Sequence, residues 1–465
     1  MKLIIKILLV ISILVLHIES YNSQTNTLNK AYKEAAIDRL NELMNDYYVF
    51  PEVAKKTATF LTNQFEEGHF DKFNDLDSFA DALTESVQKI NKDKHMRIRK
   101  NRPYIAQENS PERMIEERVE LLNRSRMGNL GIRTVEILDG NIGYLDLRGF
   151  AGLERGKSKV DSYMKLMAET DAVIIDLSKN GGGSPEMVQY LCSYFFDKHI
   201  HLNSLYYREG DVTREYWTLD KVGGKKMPEV PLFVITSERT FSAAEEFSYN
   251  MQTQKRATLI GQTSGGGANP GGTQLINDDL GVFIPTGRAI NPITKTNWEG
   301  VGVIPEIKSE IENAKEKAHE LAKIAAEKYR NESNKKMTET LKHLYGMLDE
   351  YTPEKSHKLI LTTLEKCVEN RYLEEYNINS LGYMYLMEFE KTDVAEVLFL
   401  ANTKLFPESP NAYDSYGEVL LIKGDLDTSL LSYQQAVDLA SKQEDRDLEF
   451  YQKNLDKVKK EINKR

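Results

Sequence analysis

The amino-acid sequence predicts an α/β core that lies between two helical regions. Short apolar runs that are typical of buried strands, at residues 142–147, 172–177 and 232–236, alternate with segments of helical periodicity. Strands that alternate with helices are typical of a parallel sheet covered by helices. The chain before residue 92 and the charged chain after residue 310 carry helical patterns, so both flanks are predicted to be helical.

Composition places the chain among globular proteins of more than one domain. Its 465 residues exceed the size at which a single core usually keeps growing, so two or three domains are expected. With 40% hydrophobic and 28% charged residues, the chain is not of the disordered class. The formal net charge of -10, without a basic tract, argues against a nucleic-acid partner. Cys192 and Cys367 lie far apart in sequence, and we expect two buried free thiols and no cysteine metal site.

The N-terminus has the layout of a secretory signal. Lys2 and Lys6 flank a short apolar run, Ile7 to Leu16, and small polar residues follow it. We therefore interpret residues 1–23 as a signal peptide and expect a periplasmic or extracellular protein. The run is too short for a comfortable spanning helix. An uncleaved anchor remains an alternative, and it would be the chain's only contact with a membrane.

Residues 24–110 are predicted to form an N-terminal helical lobe. Pro51 is placed to open its second helix, and Asp77 or Ser78 to cap its third. The helical pattern ends at Asp93-Lys94-His95, where a histidine meets the start of the core.

The C-terminal part of the chain is predicted to be helical throughout. Residues 311–340 are charged and rich in Ala, Lys and Glu, and we interpret them as an exposed helical linker. Within residues 341–465, Leu381-Gly382-Tyr383 is echoed 35 residues later by Tyr416-Gly417-Glu418. Because a tetratricopeptide repeat has a period of about 34 residues, this region is predicted to be a tetratricopeptide-like domain that binds a protein partner. A plain helical bundle is the alternative.

Ser242 lies at the junction between a predicted strand and the predicted helix that follows it. At that point its Oγ can face a cleft, and the N–H of Ala243 can donate to an oxyanion. The same residue also fits a structural role, because Ser242 and Glu245 have the spacing of a capping box. Local sequence alone does not choose between the two interpretations.

Three further segments carry candidate chemistry. Gly181-Gly182-Gly183 follow a buried strand and can aim N–H groups at an anion, although a tight turn explains them equally well. They lack the lysine and hydroxyl ending of a phosphate loop. His95 stands alone at the end of the lobe, and Glu299 lies in the apolar, glycine-flanked setting of Trp298 to Gly302. A carboxylate there could orient an imidazole, as in a serine triad, and no metal-ligand spacing is present.

The order and spacing of these segments resemble the tail-specific (C-terminal-processing) family of serine peptidases over residues 30–310. Within that family the chain looks most similar to the branch that contains the tricorn protease core and the interphotoreceptor retinoid-binding protein. The segments that carry the resemblance are Asp93-Lys94-His95, Ile142 to Leu145, Asp176 to Gly183, Thr236 to Phe247, Gly261 to Ala268, and Asn291 to Glu306.

The resemblance implies a crotonase/ClpP-like peptidase core at residues 111–310 that hydrolyses peptide or protein substrates. It implies Ser242 as nucleophile, His95 as base and Glu299 as the carboxylate that orients the base. The N–H groups of Ala243 and of Gly181 or Gly182 would then form the oxyanion hole. This chemistry needs no cofactor and no metal.

The chain departs from the family pattern in three ways. The tail-specific branch places a lysine base 25 residues after the serine, and that position is Gly267. Where the tricorn core has a serine beside its histidine, this chain has Lys94. Residues 100–140 are too few for the usual PDZ insert. Some relatives of this fold bind ligands or peptides without cleaving them, as the retinoid-binding resemblance implies, so non-catalytic binding is the alternative function. A chain that acts mainly as a repeat scaffold is a third.

Overall fold

A computed structural model describes residues 28–100, 111–352 and 357–464. The chain divides into two compact units between Tyr329 and Arg330. The predicted signal peptide, residues 1–23, lies outside the described residues. Within the ranges that the structure describes, no helix combines the length and the apolar character needed to cross a membrane.

The N-terminal lobe consists of three helices followed by a short strand. These elements are α1 (Lys30–Tyr47), α2 (Pro51–Glu66), α3 (Leu76–Asn91) and β1 (Ile98–Lys100). Pro51 opens α2 as predicted, because a proline at the first helical position loses no hydrogen bond. The predicted cap of α3 is wrong by two residues. Asp75, not Asp77 or Ser78, is the N-cap, and its carboxylate accepts a hydrogen bond from the Ser78 N–H at 2.8 Å.

A mixed sheet of six strands forms the centre of the first unit, with the order β12-β8-β7-β4-β3-β2. The strands are β2 (Ile132–Leu138), β3 (Ile142–Leu147), β4 (Ala172–Asp176), β7 (Leu232–Thr236), β8 (Thr258–Gly261) and β12 (Ile307–Lys308). All neighbours are parallel except the edge strand β2, which runs antiparallel to β3. The alternation of strands and helices in the sequence thus predicted the parallel sheet.

Two antiparallel sheets of three strands flank the centre, in the orders β1-β10-β9 and β11-β5-β6. Their remaining strands are β5 (His201–Tyr207), β6 (Val212–Trp217), β9 (Gly271–Leu275), β10 (Leu280–Pro285) and β11 (Gly287–Ile290). The helices between the strands are α4 (Pro111–Met127), α5 (Leu153–Met167), α6 (Pro185–Cys192) and α7 (Ala243–Thr253). Strand β1 belongs to the lobe and β10 to the core, so the first small sheet joins the two.

The central sheet buries both faces, because alternate strand residues point to opposite sides. On β4, Val173 and Ile175 contribute to the larger apolar cluster, together with α5, α6 and α7. The intervening Ile174 contributes to a second cluster on the other face. That second face is covered by the helix α8 (Ile311–Asp349).

Helix α8 was expected to be an exposed linker over residues 311–340, and this expectation is wrong for its first half. Four alanines spaced four residues apart are buried against the central sheet: Ala314, Ala318, Ala322 and Ala326. Small side chains allow a helix backbone to lie close to a sheet, and the charged residues between them face solvent. The high charge of the segment concealed this stripe in the sequence.

The second unit is helical, as predicted. After α8 it contains α9 (His357–Glu369), α10 (Glu375–Tyr383), α11 (Thr392–Leu405), α12 (Pro410–Lys423), α13 (Leu426–Lys442) and α14 (Leu448–Ile462). The two glycines of the sequence echo occupy equivalent places. A Cβ at Gly382 would come within 2.5 Å of the Phe399 ring, and one at Gly417 within 3.0 Å of the Tyr433 ring. Both glycines therefore allow the following helix to pack closely, and the assignment to tetratricopeptide repeats stays a prediction. Cys192 and Cys367 are buried free cysteines, as predicted.

The alanine stripe predicts where the chain can be shortened. A chain that ends after Arg330 keeps the stripe, and we expect its first unit to melt within a few degrees of the full chain. A chain that ends after Glu310 uncovers one face of the central sheet, and its melting temperature should fall by more than about 10 °C. The protein's two tryptophans, Trp217 and Trp298, both lie in the first unit, so tryptophan fluorescence during heating measures this unit alone. Equal melting of the two shortened chains would contradict the structural role of the stripe.

Candidate active site

Three loops meet at one edge of the central sheet, because they follow the carboxyl ends of adjacent parallel strands. The loop after β4 carries Gly181 to Gly183, the loop after β7 carries Ser242, and the loop after β8 carries Gly265 to Gly267. Strand order β8-β7-β4 places the serine loop between the two glycine loops. Sequence order does not reveal this adjacency, but a parallel sheet requires it.

Ser242 has a strained backbone. Its φ of 56° and ψ of -123° lie in a region that residues other than glycine rarely occupy. The residue is the N-cap of α7, and the N–H of the preceding Phe241 is held by the Asn180 carbonyl at 3.0 Å. A non-glycine residue in such a conformation, at the junction of a strand loop and a helix, is typical of a functional position.

The Glu245 carboxylate holds the serine loop against the loop after β8. Its Oε2 accepts hydrogen bonds from the N–H groups of Ser242 and Gly267, each at 2.8 Å. Its Oε1 accepts from Ser264 Oγ at 2.5 Å and from the Gly266 N–H at 2.6 Å. Burial raises the pKa of this carboxyl, whereas the four donors favour its charged form. The sequence indicated Glu245 only as a helix cap, and its wider role was missed.

The glycine loop after β4 lies directly against Ser242. A Cβ on Gly182 would come within 2.8 Å of Ser242 Cβ and 3.1 Å of the Ala243 nitrogen, so only glycine permits this approach. The Gly182 N–H donates to Asn180 Oδ1 at 2.9 Å, so in this conformation it is already bonded. Ala243 with Gly181 or Gly182 stays the prediction for the oxyanion donors.

His95 lies in the turn between α3 and β1, which carries it from the lobe to the edge of the core. Its ring packs against the rings of Phe241, at a centroid distance of 4.5 Å, and Phe283, at 5.7 Å. The side chain is 10% exposed, and its buried Nδ1 has no hydrogen-bond partner. Burial, and next the positive charge of Arg97, lower the pKa of His95 to about 4. The imidazole is therefore neutral at pH 7, as a general base must be.

Glu299, on the loop before β12, lies close to His95. Its Oε2 accepts hydrogen bonds from the N–H groups of Ala268 at 2.5 Å and Asn269 at 3.2 Å. Its Oε1 is buried without a partner. Burial, and next the charge of Asp93, raise the pKa of Glu299 to about 8. Each of the two predicted partners, His95 and Glu299, thus has one buried polar atom that is left unsatisfied.

Asp93 completes this cluster, although the sequence analysis gave it no role. One oxygen of Asp93, one of Glu299 and one ring nitrogen of His95 all lie within 4.8 Å of one another. Asp93 Oδ1 accepts from the His95 N–H at 3.0 Å, and Oδ2 accepts from Asn269 Nδ2 at 2.8 Å and from Tyr48 Oη at 3.4 Å. Both oxygens are therefore engaged, which makes Asp93 a support for the turn more than a free ligand for a cation.

Ser242 and His95 are neighbours through Phe241 but are not hydrogen-bonded among the described residues. The Phe241 ring, adjacent in sequence to Ser242, lies against the imidazole. Gly267 touches the same pair, since a Cβ there would come within 2.3 Å of Phe241 Cζ and 2.6 Å of His95 Cε1. A side chain at position 267 is thus sterically incompatible with His95 in its present place. A lysine at position 267 therefore does not fit while His95 occupies this place.

Two cavities are lined by residues of this site or by their neighbours. One, of about 650 Å³, is lined by His95, Phe241 and Phe283. The other, of about 610 Å³, is lined by Gly182, Phe150 and residues of α4. Ser242 follows Phe241, which lines the first cavity, and packs against Gly182, which lines the second.

The four hydrogen bonds of Glu245 predict a large effect of an isosteric change. In Glu245→Gln one oxygen becomes an NH₂ group that faces two donors, so the free energy of unfolding should fall by about 2–4 kcal/mol. Urea unfolding followed by tryptophan fluorescence measures this, since Trp298 donates to the Gly267 carbonyl beside the network. The exposed Glu154, in the first turn of α5, offers Glu154→Gln as a matched control, with an expected change below about 0.5 kcal/mol. Equal stability of the two variants would refute the network.

The depressed pKa of His95 predicts its titration. The ring should stay neutral as pH falls through 6.5 and should become protonated only near pH 4. Arg97→Gln removes the guanidinium that repels a protonated His95, so the midpoint of the His95 titration should rise. It should remain below pH 6.5, because the ring is still buried. The stability that depends on neutral His95 is complete above pH 6.5 and is lost as pH falls toward 4. NMR of the Cε1–H resonance, assigned by its absence in His95→Gln, measures the midpoint, and an ordinary value near 6.5 would contradict the buried position.

Two family models and one curated protein are similar to parts of this chain. Residues 141–309 match the model of peptidase family S41. Residues 26–127 match the model of the N-terminal domain of peptidase S41 in eukaryotic IRBP. The carboxy-terminal processing protease CtpA of Bacillus subtilis (strain 168) is 24% identical over 204 residues, which is 41% of this chain and 42% of that protein. The chain therefore spans less than half the length of this curated relative.

Two solved structures are among the similar ones. A Parabacteroides merdae protein, described as a peptidase, is 18% identical at a TM-score of 0.45, over 62% of this chain and 96% of its own. The photosystem II D1 C-terminal processing protease is 12% identical at a TM-score of 0.38, over 60% of this chain and 93% of its own. The two family matches cover the lobe that carries His95 and the core that carries Ser242 and Glu299. The chain is thus similar to peptidase family S41 over residues 141–309 and to the N-terminal domain of that family over residues 26–127.

Proposed function

We propose that the protein is an exported serine peptidase that cleaves peptide bonds through a covalent acyl-enzyme. The single observation that carries the proposal is the pair of unsatisfied buried atoms, His95 Nδ1 and Glu299 Oε1, in one cluster beside the strained Ser242. Unsatisfied buried polar atoms cost stability, and they persist where function requires them. The match to peptidase family S41 and the processing protease named among the relatives support peptidase activity.

In the proposed first step, His95 accepts the proton of Ser242 Oγ, and the oxygen forms a bond to the carbonyl carbon of the substrate. The N–H groups of Ala243 and Gly181 hold the oxyanion. His95 then gives its proton to the leaving amine as the peptide C–N bond breaks. A water molecule, deprotonated in turn by His95, hydrolyses the ester and restores Ser242.

Glu299 has a positioning role in this scheme. When His95 becomes an imidazolium, its positive charge lowers the pKa of the adjacent Glu299 and favours the carboxylate. The ionised Glu299 then stabilises the imidazolium and fixes the ring orientation. Asp93, held by Asn269 and Tyr48, keeps the backbone of the His95 turn in place.

Export and the C-terminal helices complete the proposal. The signal-like N-terminus favours a periplasmic or extracellular protein. The helical second unit, with its paired glycines Gly382 and Gly417, favours a tetratricopeptide-like module that recruits a protein partner or a substrate. A chain that ends after Arg330 should then keep its hydrolysis of short peptides.

The alternative function is binding without cleavage. It is favoured by one observation, the absence of a hydrogen bond between His95 and Ser242 among the described residues. In a free enzyme such bonds are often long and shorten only when substrate is bound. All three proposed groups are present, and for this reason we place the peptidase first.

A serine-directed phosphonate probe tests the proposed function. The probe should label Ser242, as peptide mass spectrometry would show, and Ser242→Ala should abolish both labelling and peptide cleavage while the protein remains folded. Glu299→Gln should slow acylation by roughly 10²–10⁴-fold, because the imidazolium loses its counter-charge. Unchanged turnover in Ser242→Ala would refute the serine mechanism, and the absence of cleavage and labelling in the wild type would favour the binding function.

A further inference from the structure

The cavity beside His95 carries a concentration of positive charge that the proposed chemistry does not use. Among its lining residues are five cations and one carboxylate: Lys94, Arg97, Arg99, Lys100, Arg239 and Glu238. The whole chain has a formal net charge of -10. A basic cavity in an acidic protein is therefore a local feature, and it lies next to the group that would act on the substrate.

Strand β1 and the residue just before it place two of these cations, Arg99 and Arg97, along the cavity. Ile98 is 2% exposed and points into the lobe core, so its neighbours Arg97 and Arg99 project from the opposite face. Two residues along a strand correspond to about 7 Å. The Phe283 N–H donates to the Arg97 carbonyl at 3.1 Å, and Arg99 pairs with Gly281. Backbone pairing with β10 therefore holds both positions in place. Gly281 has no side chain and leaves the cavity open beside Arg99.

Among the described residues, the contacts of these cations are mostly with uncharged groups. Lys94 Nζ donates to the Gly265 carbonyl at 2.7 Å, and Arg97 Nε donates to the Lys94 carbonyl at 3.2 Å, so both contacts are with uncharged groups. Lys100 has a distant exposed partner, Asp77, at 3.9 Å. In the described part of the chain, no ion pair engages Arg97, Arg99 or Arg239. The positive field of Arg97 also reaches the imidazole, since it lowers the pKa of His95.

We propose that this cavity binds carboxylate groups of the substrate and makes the protein selective for acidic peptides. The inference rests on the proposed peptidase function and names its substrate class. The carboxylate has two sources, the side chains of Asp or Glu and the C-terminus of the peptide. In an extended peptide, the side chains on one face recur every two residues, about 7 Å apart. The same spacing separates Arg97 from Arg99. Acidic residues two positions apart therefore match the strand.

Matched peptides distinguish the two sources. An internally quenched peptide with two Glu residues two positions apart is compared with the same peptide carrying Gln or Lys there, each with a free or an amidated C-terminus. Side-chain recognition predicts that the amidated Glu peptide is cleaved with a kcat/KM about tenfold above that of the amidated Gln peptide, with Lys lowest. Recognition of the C-terminus predicts that the Gln peptide loses a similar factor on amidation. Either preference should weaken between 20 and 500 mM salt, roughly the range in which charge screening becomes strong.

Arg99→Glu tests the cavity directly, because Arg99 is exposed and touches none of the proposed reacting groups. This variant should lose about tenfold in kcat/KM for the carboxylate-bearing peptide and keep the neutral, amidated peptide within roughly twofold. Arg214→Glu is the matched control, since Arg214 is an exposed arginine on β6 outside the cavity lining. Arg214→Glu should leave kcat/KM unchanged for the carboxylate-bearing peptide and for the neutral, amidated peptide.

Binding to Ser242→Ala, measured by fluorescence anisotropy with the same peptides, separates this inference from the proposed function. If no peptide is cleaved by the wild type but carboxylate-bearing peptides still bind more tightly and depend on Arg99, the peptidase proposal fails and the cavity assignment stands. If peptides are cleaved and bound equally well with Glu, Gln or Lys and with either C-terminus, the cavity assignment is overturned. An equal loss in Arg214→Glu would also overturn it, because the effect would then be one of net charge.

Discussion

The arrangement of the site depends on one buried carboxylate, that of Glu245. The chain would otherwise have to bury four donors, from Ser242, Ser264, Gly266 and Gly267, at the point where two strand loops meet. A single acceptor group with two oxygens satisfies all four, and it also fixes the first turn of α7. The strained backbone of Ser242 is tolerated because these bonds, together with the bond from Phe241 to Asn180, hold it from both sides.

The second constraint is the joining of the lobe to the core. His95 and Asp93 come from the lobe, whereas Glu299, Asn269 and Ser242 come from the core. The bond from Asn269 to Asp93 and the pairing of β1 with β10 connect the two parts within the first unit. The unsatisfied atoms of His95 and Glu299 are thus held near each other by contacts that neither segment makes alone.

The site has a buried region and a solvent-exposed region, and the two differ in how their charged groups are solvated. On the buried side, desolvation keeps His95 neutral and raises the pKa of Glu299, which is the environment that proton transfer needs. On the open side, the exposed side chains of Arg97, Arg99 and Lys100 face solvent. Charged side chains act over several ångströms across such a boundary, so Arg97 belongs to both regions. The proposed proton transfer and the proposed substrate selection therefore lie close together, with Arg97 acting on both.

The sequence by itself determined the elements and the identity of the main candidates. Periodicity was sufficient for the lobe helices, the parallel strands and the helical second unit, and motif order indicated Ser242, His95 and Glu299. Only the tertiary structure decided which backbone and side-chain groups meet. It showed that Glu245 joins two loops, that Asp93 supports the histidine turn, that the Gly182 N–H is already bonded, and that the alanines of α8 cover the sheet. Local patterns arise from propensities within a few residues, whereas these contacts join residues far apart in the chain, and their partners exist only once the strands are ordered side by side.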